Sequence, residues 1–256
     1  MAWTNVHWVP LAASILLPAT FITTYFLSVT DGNISPEFPY ISDTGTTSPE
    51  SCVFAQLLNI VAVLYLFTTY FRYKQVYHYY KDNRIHGQRL LLSINKISFL
   101  IGILACLGMS MVANFQETNL IRVHLTGALM CFCSGGIYCW LQTWITFKSY
   151  PHLNEKPICY IRFFLSTTLT ITFIITFFLG PEAMRRFNGT NPRKWTRDED
   201  GYYLHLIASL CEWVTAICID CFIGTFVFDM KRLVMISPKV LFTTDNISIT
   251  SIKITA

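Results

Sequence analysis

The residues best placed to do chemistry lie in the last apolar stretch of the chain. His205, Ser209, Glu212, Ala216 and Asp220 follow one another at intervals of 4, 3, 4 and 4, so a helix would align them on one face. An imidazole, a hydroxyl and two carboxylates in a row could pass a proton or an ion, or contact a ligand, if that helix crosses a membrane. The same face also admits a packing role. Glu212, protonated or paired with a neighbouring helix, would then point into a bundle, because facing lipid would cost it several kcal/mol. A second polar set borders two neighbouring apolar runs, with Asn114 and Gln116 closing one and His124 opening the next. His124 and His205 are expected to come near one surface, where protonation in an acidic compartment would alter loop contacts. The alternative is two interfacial histidines bonded to water or carbonyls.

A third set is a polar island between apolar runs: Pro39, Tyr40, Ile41, Ser42, Asp43, Thr44 and Gly45, running on to Pro49 and Glu50. Asp43-Thr44-Gly45 is a turn signal, because Asp can bond its own backbone and Gly supplies positive φ. Pro39 and Pro49 prevent a helix from running through. The island is expected to be a folded cap, a structural lid or recognition surface more than a reaction centre. No Gly-x-Ser-x-Gly, His-Glu-x-x-His or phosphate-binding glycine loop occurs, and the chain is read as non-enzymatic. Cys131-x-Cys133 and Cys218-x₂-Cys221 have metal-like spacing, but no nearby histidine completes a set. No metal or cofactor is expected.

These groups must be carried by membrane helices. Of 256 residues, 53% are hydrophobic and only 13% charged, about half the charge of a soluble domain. Apolar runs cover about 8–29, 53–71, 97–113, 123–147, 159–179 and 202–228, each long enough to span a bilayer as a helix. The expected fold is all-α: six transmembrane helices in one bundle over residues 1–235, then a short cytosolic tail, 236–256. Pro18 should kink the first run, and Gly180-Pro181 should stop the fifth. The first residues lack Lys and Arg, and the first run is long enough to stay as a span, so no cleaved signal is expected. Gly102, Cys106 and Gly108, with Gly127, Ser134, Gly135 and Gly136, should let the third and fourth helices approach closely. Asn59 should bond between helices.

Lys and Arg orient the bundle. Six fall between the second and third runs: Arg72, Lys74, Lys81, Arg84, Arg89 and Lys96. The loop after the first run has none, and carries Asp31, Glu37, Asp43 and Glu50. Both termini are therefore expected in the cytosol. The loop 181–201 argues against this with Arg185, Arg186, Arg193, Lys194 and Arg197. Asn33 and Asn188 head glycosylation sequons in the predicted outer loops, and Asn246 heads one in the tail. Arg72, Lys74 and Arg84 are candidates for contact with anionic lipid, interfacial anchoring being the alternative. Tyr73-Lys74-Gln75-Val76 has the form of a tyrosine sorting signal. Cys159, at a membrane edge, is a candidate for palmitoylation, and nucleic-acid binding is not expected.

The marks Pro39–Gly45 with Pro49-Glu50, Arg72-Tyr73-Lys74, Val112-Ala113-Asn114-Phe115-Gln116 and Cys211-Glu212-Trp213, in this order and at these distances, resemble the DRAM family, the damage-regulated autophagy modulators. The resemblance covers about residues 10–235. It implies a multi-pass protein of the lysosomal or late endosomal membrane that promotes autophagy, can influence cell death, acts through membrane partners or lipids, and has no catalytic residues. Two alternatives stay open. One is a transporter or channel using the polar face of the sixth helix. The other is a plasma-membrane regulator of phosphoinositide synthesis.

Overall fold

The structure, a computed structural model, describes residues 2–82, 88–231 and 233–236. Six helices are long and apolar enough to cross a membrane: α1 (Trp8–Thr30), α2 (Glu50–Asp82), α3 (Gln88–Asn114), α4 (Glu117–Ser149), α5 (Lys156–Arg186) and α6 (Tyr202–Gly224), the last continued by the short α7 (Phe226–Met230). The six-span, all-α expectation holds. Each helix packs on its sequence neighbour, and α6 returns to α1, so the bundle closes into a ring. The seam between α4 and α5 is the loosest of the sequence-adjacent contacts. β1 (Ala2–Trp3) and β2 (Met235–Ile236) form a two-residue antiparallel ladder. It holds the two ends of the described chain at one end of the bundle.

The helices are inside-out relative to a soluble protein. Large apolar side chains point outward at helical spacing, as in Leu100, Leu104 and Leu107 of α3 or Ile171, Ile174 and Phe178 of α5. Hydroxyls point inward: Thr20, Thr24 and Ser28 of α1, Thr68, Ser98, Thr146, Ser166 and Ser209 are fully buried. Without a hydrophobic force between helices in lipid, such hydroxyls and small residues hold helices together. Thr143 bonds Ser166 at 3.0 Å between α4 and α5, and Thr172 bonds Thr215 at 2.7 Å between α5 and α6. Asn59 donates to Asn114 at 3.0 Å and accepts from Ser110, joining α2 to α3 as expected. Gly108 and Gly127 let the backbones of α3 and α4 touch: a Cβ on Gly108 would sit 2.5 Å from the Cys131 nitrogen.

Two boundary expectations fail. Gly180-Pro181 does not stop α5, which continues to Arg186. A proline removes one backbone bond without forbidding the turns that follow it, and Arg185 and Arg186 both pair with Glu182 across those turns. The helices also outrun the apolar runs, most of all α2, whose polar extension reaches Asp82. α4 is interrupted near its start, where Leu120 leaves helical geometry (φ −136°, ψ 60°). That break gives Glu117 and Thr118 a separate turn under the cap.

Candidate functional site

The island is a plug set into one end of the ring. Ser42–Gly45 form a single 3-10 turn, and Asp43, Thr44 and Gly45 are buried. Four helices hold it. Thr44 bonds Thr24 of α1 at 3.0 Å. Gly45 lies so close to the Phe54 ring of α2 that a Cβ would overlap it. Ser42 donates to Glu117 of α4 at 2.9 Å, and Thr46 bonds Thr118 at 2.9 Å. From α6, Glu212 accepts the Ile41 N–H at 3.1 Å, and Trp213 Nε1 donates to the Pro39 carbonyl at 2.9 Å. Glu50, fully buried at the start of α2, accepts from Ser28 and Asn33 at 3.2 and 2.7 Å. The expected cap is thus an inserted plug whose motif side chains are mostly turned inward.

Beneath the plug lies a cavity of about 950 Å³. Its polar end holds Tyr40, Asp43, Glu117, His124, His205 and Glu212. Its wall is apolar and comes from α4 and α5, with Leu125, Leu129, Phe132, Phe173 and Phe177 among the lining. Leu125, Leu129 and Phe177 are themselves exposed on the outside of the bundle, so the cavity opens sideways at the loose α4–α5 seam. His124 and His205 line the same cavity, yet each has its own neighbour. His124 Nδ1 bonds the Phe115 carbonyl at 2.8 Å. The His205 ring stacks on Trp195 at 4.5 Å and meets the edge of Tyr40 at 4.9 Å.

Asp43 carries the electrostatics of the plug. Burial, then the facing Glu117 and Glu212 carboxylates, push its carboxyl well above the usual range, and the Tyr40 N–H bond offsets this only in part. The neighbouring Tyr40 phenol is raised by burial and by Glu212, Asp43 and Glu117. A carboxyl raised on folding contributes stability that is complete below its unfolded value, about 4 for Asp, and is lost as pH rises through the folded value. Wild-type protein in detergent should therefore melt higher at pH 5 than at pH 8, through this group. Asp43→Asn, which keeps an acceptor for Tyr40 N–H, should narrow that gap by raising the pH 8 midpoint. An unchanged gap in the variant would remove Asp43 as its source.

The proposed single polar face on α6 is divided among different surroundings. His205 and Glu212 face the cavity. Ser209 bonds back to the Leu206 carbonyl at 3.1 Å. Asp220 accepts from Tyr65 Oη of α2 at 2.6 Å. Asn114 is bound to Asn59 and Ser110, and Gln116 accepts from Asn119 at 3.3 Å. Neither bonds the plug.

At the opposite end of the bundle, sequence reasoning missed a buried ion cluster. Asp229 of α7 sits between two fully buried guanidiniums. Arg162 of α5 pairs with it and also donates to Thr225 and Thr146 at 2.8 and 2.7 Å. Arg72 of α2 lies 3.6 Å from it and donates to Gln142, Gln75 and Asn154 at 3.1, 2.8 and 3.3 Å. Asn154 donates to the same carboxylate, and Arg162 lies over the Phe226 ring at 4.4 Å. A signal did exist: Arg162 sits inside an apolar run and Asp229 at the end of another. The cluster corrects one expectation outright, since Arg72 cannot reach lipid headgroups. Lys74 is half-buried, and Arg84 lies outside the described residues, as does Asn246. Val76 is fully buried, so the tyrosine motif is not presented. Cys159 is buried, with its thiol directed at the Thr146 and Glu155 carbonyls, which leaves no surface for palmitoylation.

The sequons differ. Asn188 is exposed and bonded to Asp200, while the Asn33 amide, the atom a glycan would need, donates to buried Glu50. The basic loop 187–201 folds onto the acidic loop after α1. Arg197 pairs with Glu37 at 3.3 Å, Tyr202 bonds the same carboxylate, and Arg193 donates to Thr47 at 2.8 Å. The Tyr202 hydrogen bond, and after it Arg197, hold the Glu37 carboxyl below its usual range.

Together the fold and site define a multi-pass, six-helix membrane protein with an inserted plug over a lateral cavity. The chain matches the Frag1/DRAM/Sfk1/Cwh43P N-terminal domain over residues 5–233, and it belongs to that family. It is 34% identical over 232 residues to DNA damage-regulated autophagy modulator protein 2 of Homo sapiens, covering 90% of this chain and 85% of that one. To DNA damage-regulated autophagy modulator protein 1 of Homo sapiens it is 34% identical over 220 residues, 85% and 87% of the two chains. The modulator of macroautophagy TMEM150B-A of Xenopus laevis is 33% identical over 226 residues, 88% and 86%. No solved structure gives a significant match.

Proposed function

We propose that this protein is a non-enzymatic modulator of autophagy in the lysosomal or late endosomal membrane, acting through membrane partners or lipids and able to influence cell death. The observation that carries the reading is similarity along most of the chain to relatives named as autophagy modulators. Residues 1–235 form one six-helix body with both termini and the tail 236–256 in the cytosol. The β1–β2 ladder is in keeping with this, since it joins the chain ends at the same end of the bundle. The basic loop still argues against this orientation, although Arg185 and Arg186 pair with Glu182, and Arg197 with Glu37, because orientation follows basic residues and not net charge; the first two loops carry the assignment. The plug then faces the lumen, and Asn188 is the glycosylation site. The divided surroundings of the α6 polar residues speak for packing and ligand contact over a continuous ion path.

Localisation of the tagged protein, combined with autophagic flux after deletion, tests the reading. Overlap with lysosomal markers and a flux deficit restored by the wild-type chain are expected. Residence confined to the plasma membrane with unchanged flux would overturn it.

A further inference from the structure

The cavity beneath the plug has the features of a built ligand site, and these stand independently of any role in autophagy. Two side chains lining its polar end each hold a buried polar atom without a partner. The His205 side chain is 2% exposed, and its Nδ1 makes no hydrogen bond. The Tyr40 hydroxyl is buried and likewise has none. A buried polar atom left unpaired is costly, so two in one cavity mark a place where something else supplies the bond. Around them stand the carboxylates of Asp43, Glu117 and Glu212. One Glu212 oxygen is used by the Ile41 N–H and one Glu117 oxygen by Ser42. The lining guanidinium, Arg193, is engaged with Thr47. The rest of the wall is mostly aliphatic and aromatic and opens sideways between α4 and α5, where a membrane protein meets acyl chains.

We propose that this cavity binds a single-chain lipid amine, entering between α4 and α5. Its ammonium sits among Asp43, Glu117 and Glu212, and its chain lies along Leu125, Leu129 and Phe177. The carboxyl groups at the polar end select the class. A phosphate or carboxylate head would be repelled by each of them that ionises, whereas an ammonium pairs with them and favours their ionised form. A hydroxyl next to the amine would reach His205 Nδ1 and Tyr40 Oη. At about 950 Å³ the cavity is at the upper end of the ~300–1,000 Å³ of small-molecule sites, which suits one chain and a compact head.

The test uses full-length protein in nanodiscs and a photoreactive octadecylamine, with octadecanol and stearate carrying the same photoreactive group as comparisons. The amine should label α4 and α5 peptides near Phe132 and Phe177 and be displaced by unlabelled octadecylamine. The alcohol should label weakly and the acid should not label. Glu212→Gln keeps an acceptor for the Ile41 N–H, and it should weaken competition by the amine about tenfold, the worth of one charged hydrogen bond. Ala128→Trp, which fills the apolar wall without touching a carboxylate, should abolish labelling while the thermal midpoint stays near wild type. Equal labelling by amine, alcohol and acid would overturn the assignment, as would labelling that survives both variants. If a variant fails to fold, the comparison of the three probes on wild-type protein decides alone.

Discussion

Replacing Asp229 with Asn will destabilise the bundle by about 3–5 kcal/mol, the cost of leaving buried charge uncompensated. Asp229 is the acid shared by Arg72 and Arg162, and both guanidiniums are fully buried. The variant keeps the shape and one acceptor oxygen but leaves two buried cations near the Phe226 ring without their shared anion. The measurement is the thermal midpoint of detergent-purified protein, with the yield of monodisperse protein as a second readout. Adding Arg162→Met to the variant should recover part of the loss, because one bare charge is removed, and the two changes will not be additive. A midpoint for Asp229→Asn within error of wild type would show that the cluster contributes little.

Gly108→Val should have the next largest effect, about 1–3 kcal/mol and toward the upper end of that range for overpacking. A Cβ at this position meets the Cys131 nitrogen at 2.5 Å and the Gly127 oxygen at 2.7 Å. Those are backbone atoms of α4, so no side chain can rotate away, and the two helices must separate. Gly135→Ala is the control: its added methyl would find only the Ile219 Cδ1 at 3.4 Å, an ordinary contact. The midpoint should fall clearly for Gly108→Val and stay near wild type for Gly135→Ala. Similar losses in both would point to a general sensitivity of α3 and α4 to bulk, not to this backbone contact.

The six helices were legible because an apolar run long enough to span leaves little alternative to a helix. Their ends were not, because Arg72, Gln75 and Tyr80 look polar in sequence but are bonded into the bundle at Gln142, Asp229 and Ser149. Charge near a membrane edge reads as interfacial unless its partner is known, and the partner of Arg72 lies 157 positions away. The 3-4 spacing in α6 put His205, Glu212 and Asp220 on one face; the first two line the cavity, but spacing could not say that Asp220 turns to Tyr65. Spacing gives a face, while the identity of the facing helix decides the chemistry. The plug was recognised as a turn, yet its pairing with Glu212 and Trp213 joins positions 171 and 174 apart, beyond the reach of any local rule.

The ion cluster also has an order in time. Arg72 belongs to the second helix and Arg162 to the fifth, while Asp229 comes only after the sixth. A chain made from its N-terminus thus carries two guanidiniums without their shared carboxylate until α7 emerges. Only then are they neutralised, and α2, α5 and α7 lock together. Chains ending before residue 229 would keep both bare charges in the bundle, a defect costly enough to separate unfinished molecules from complete ones.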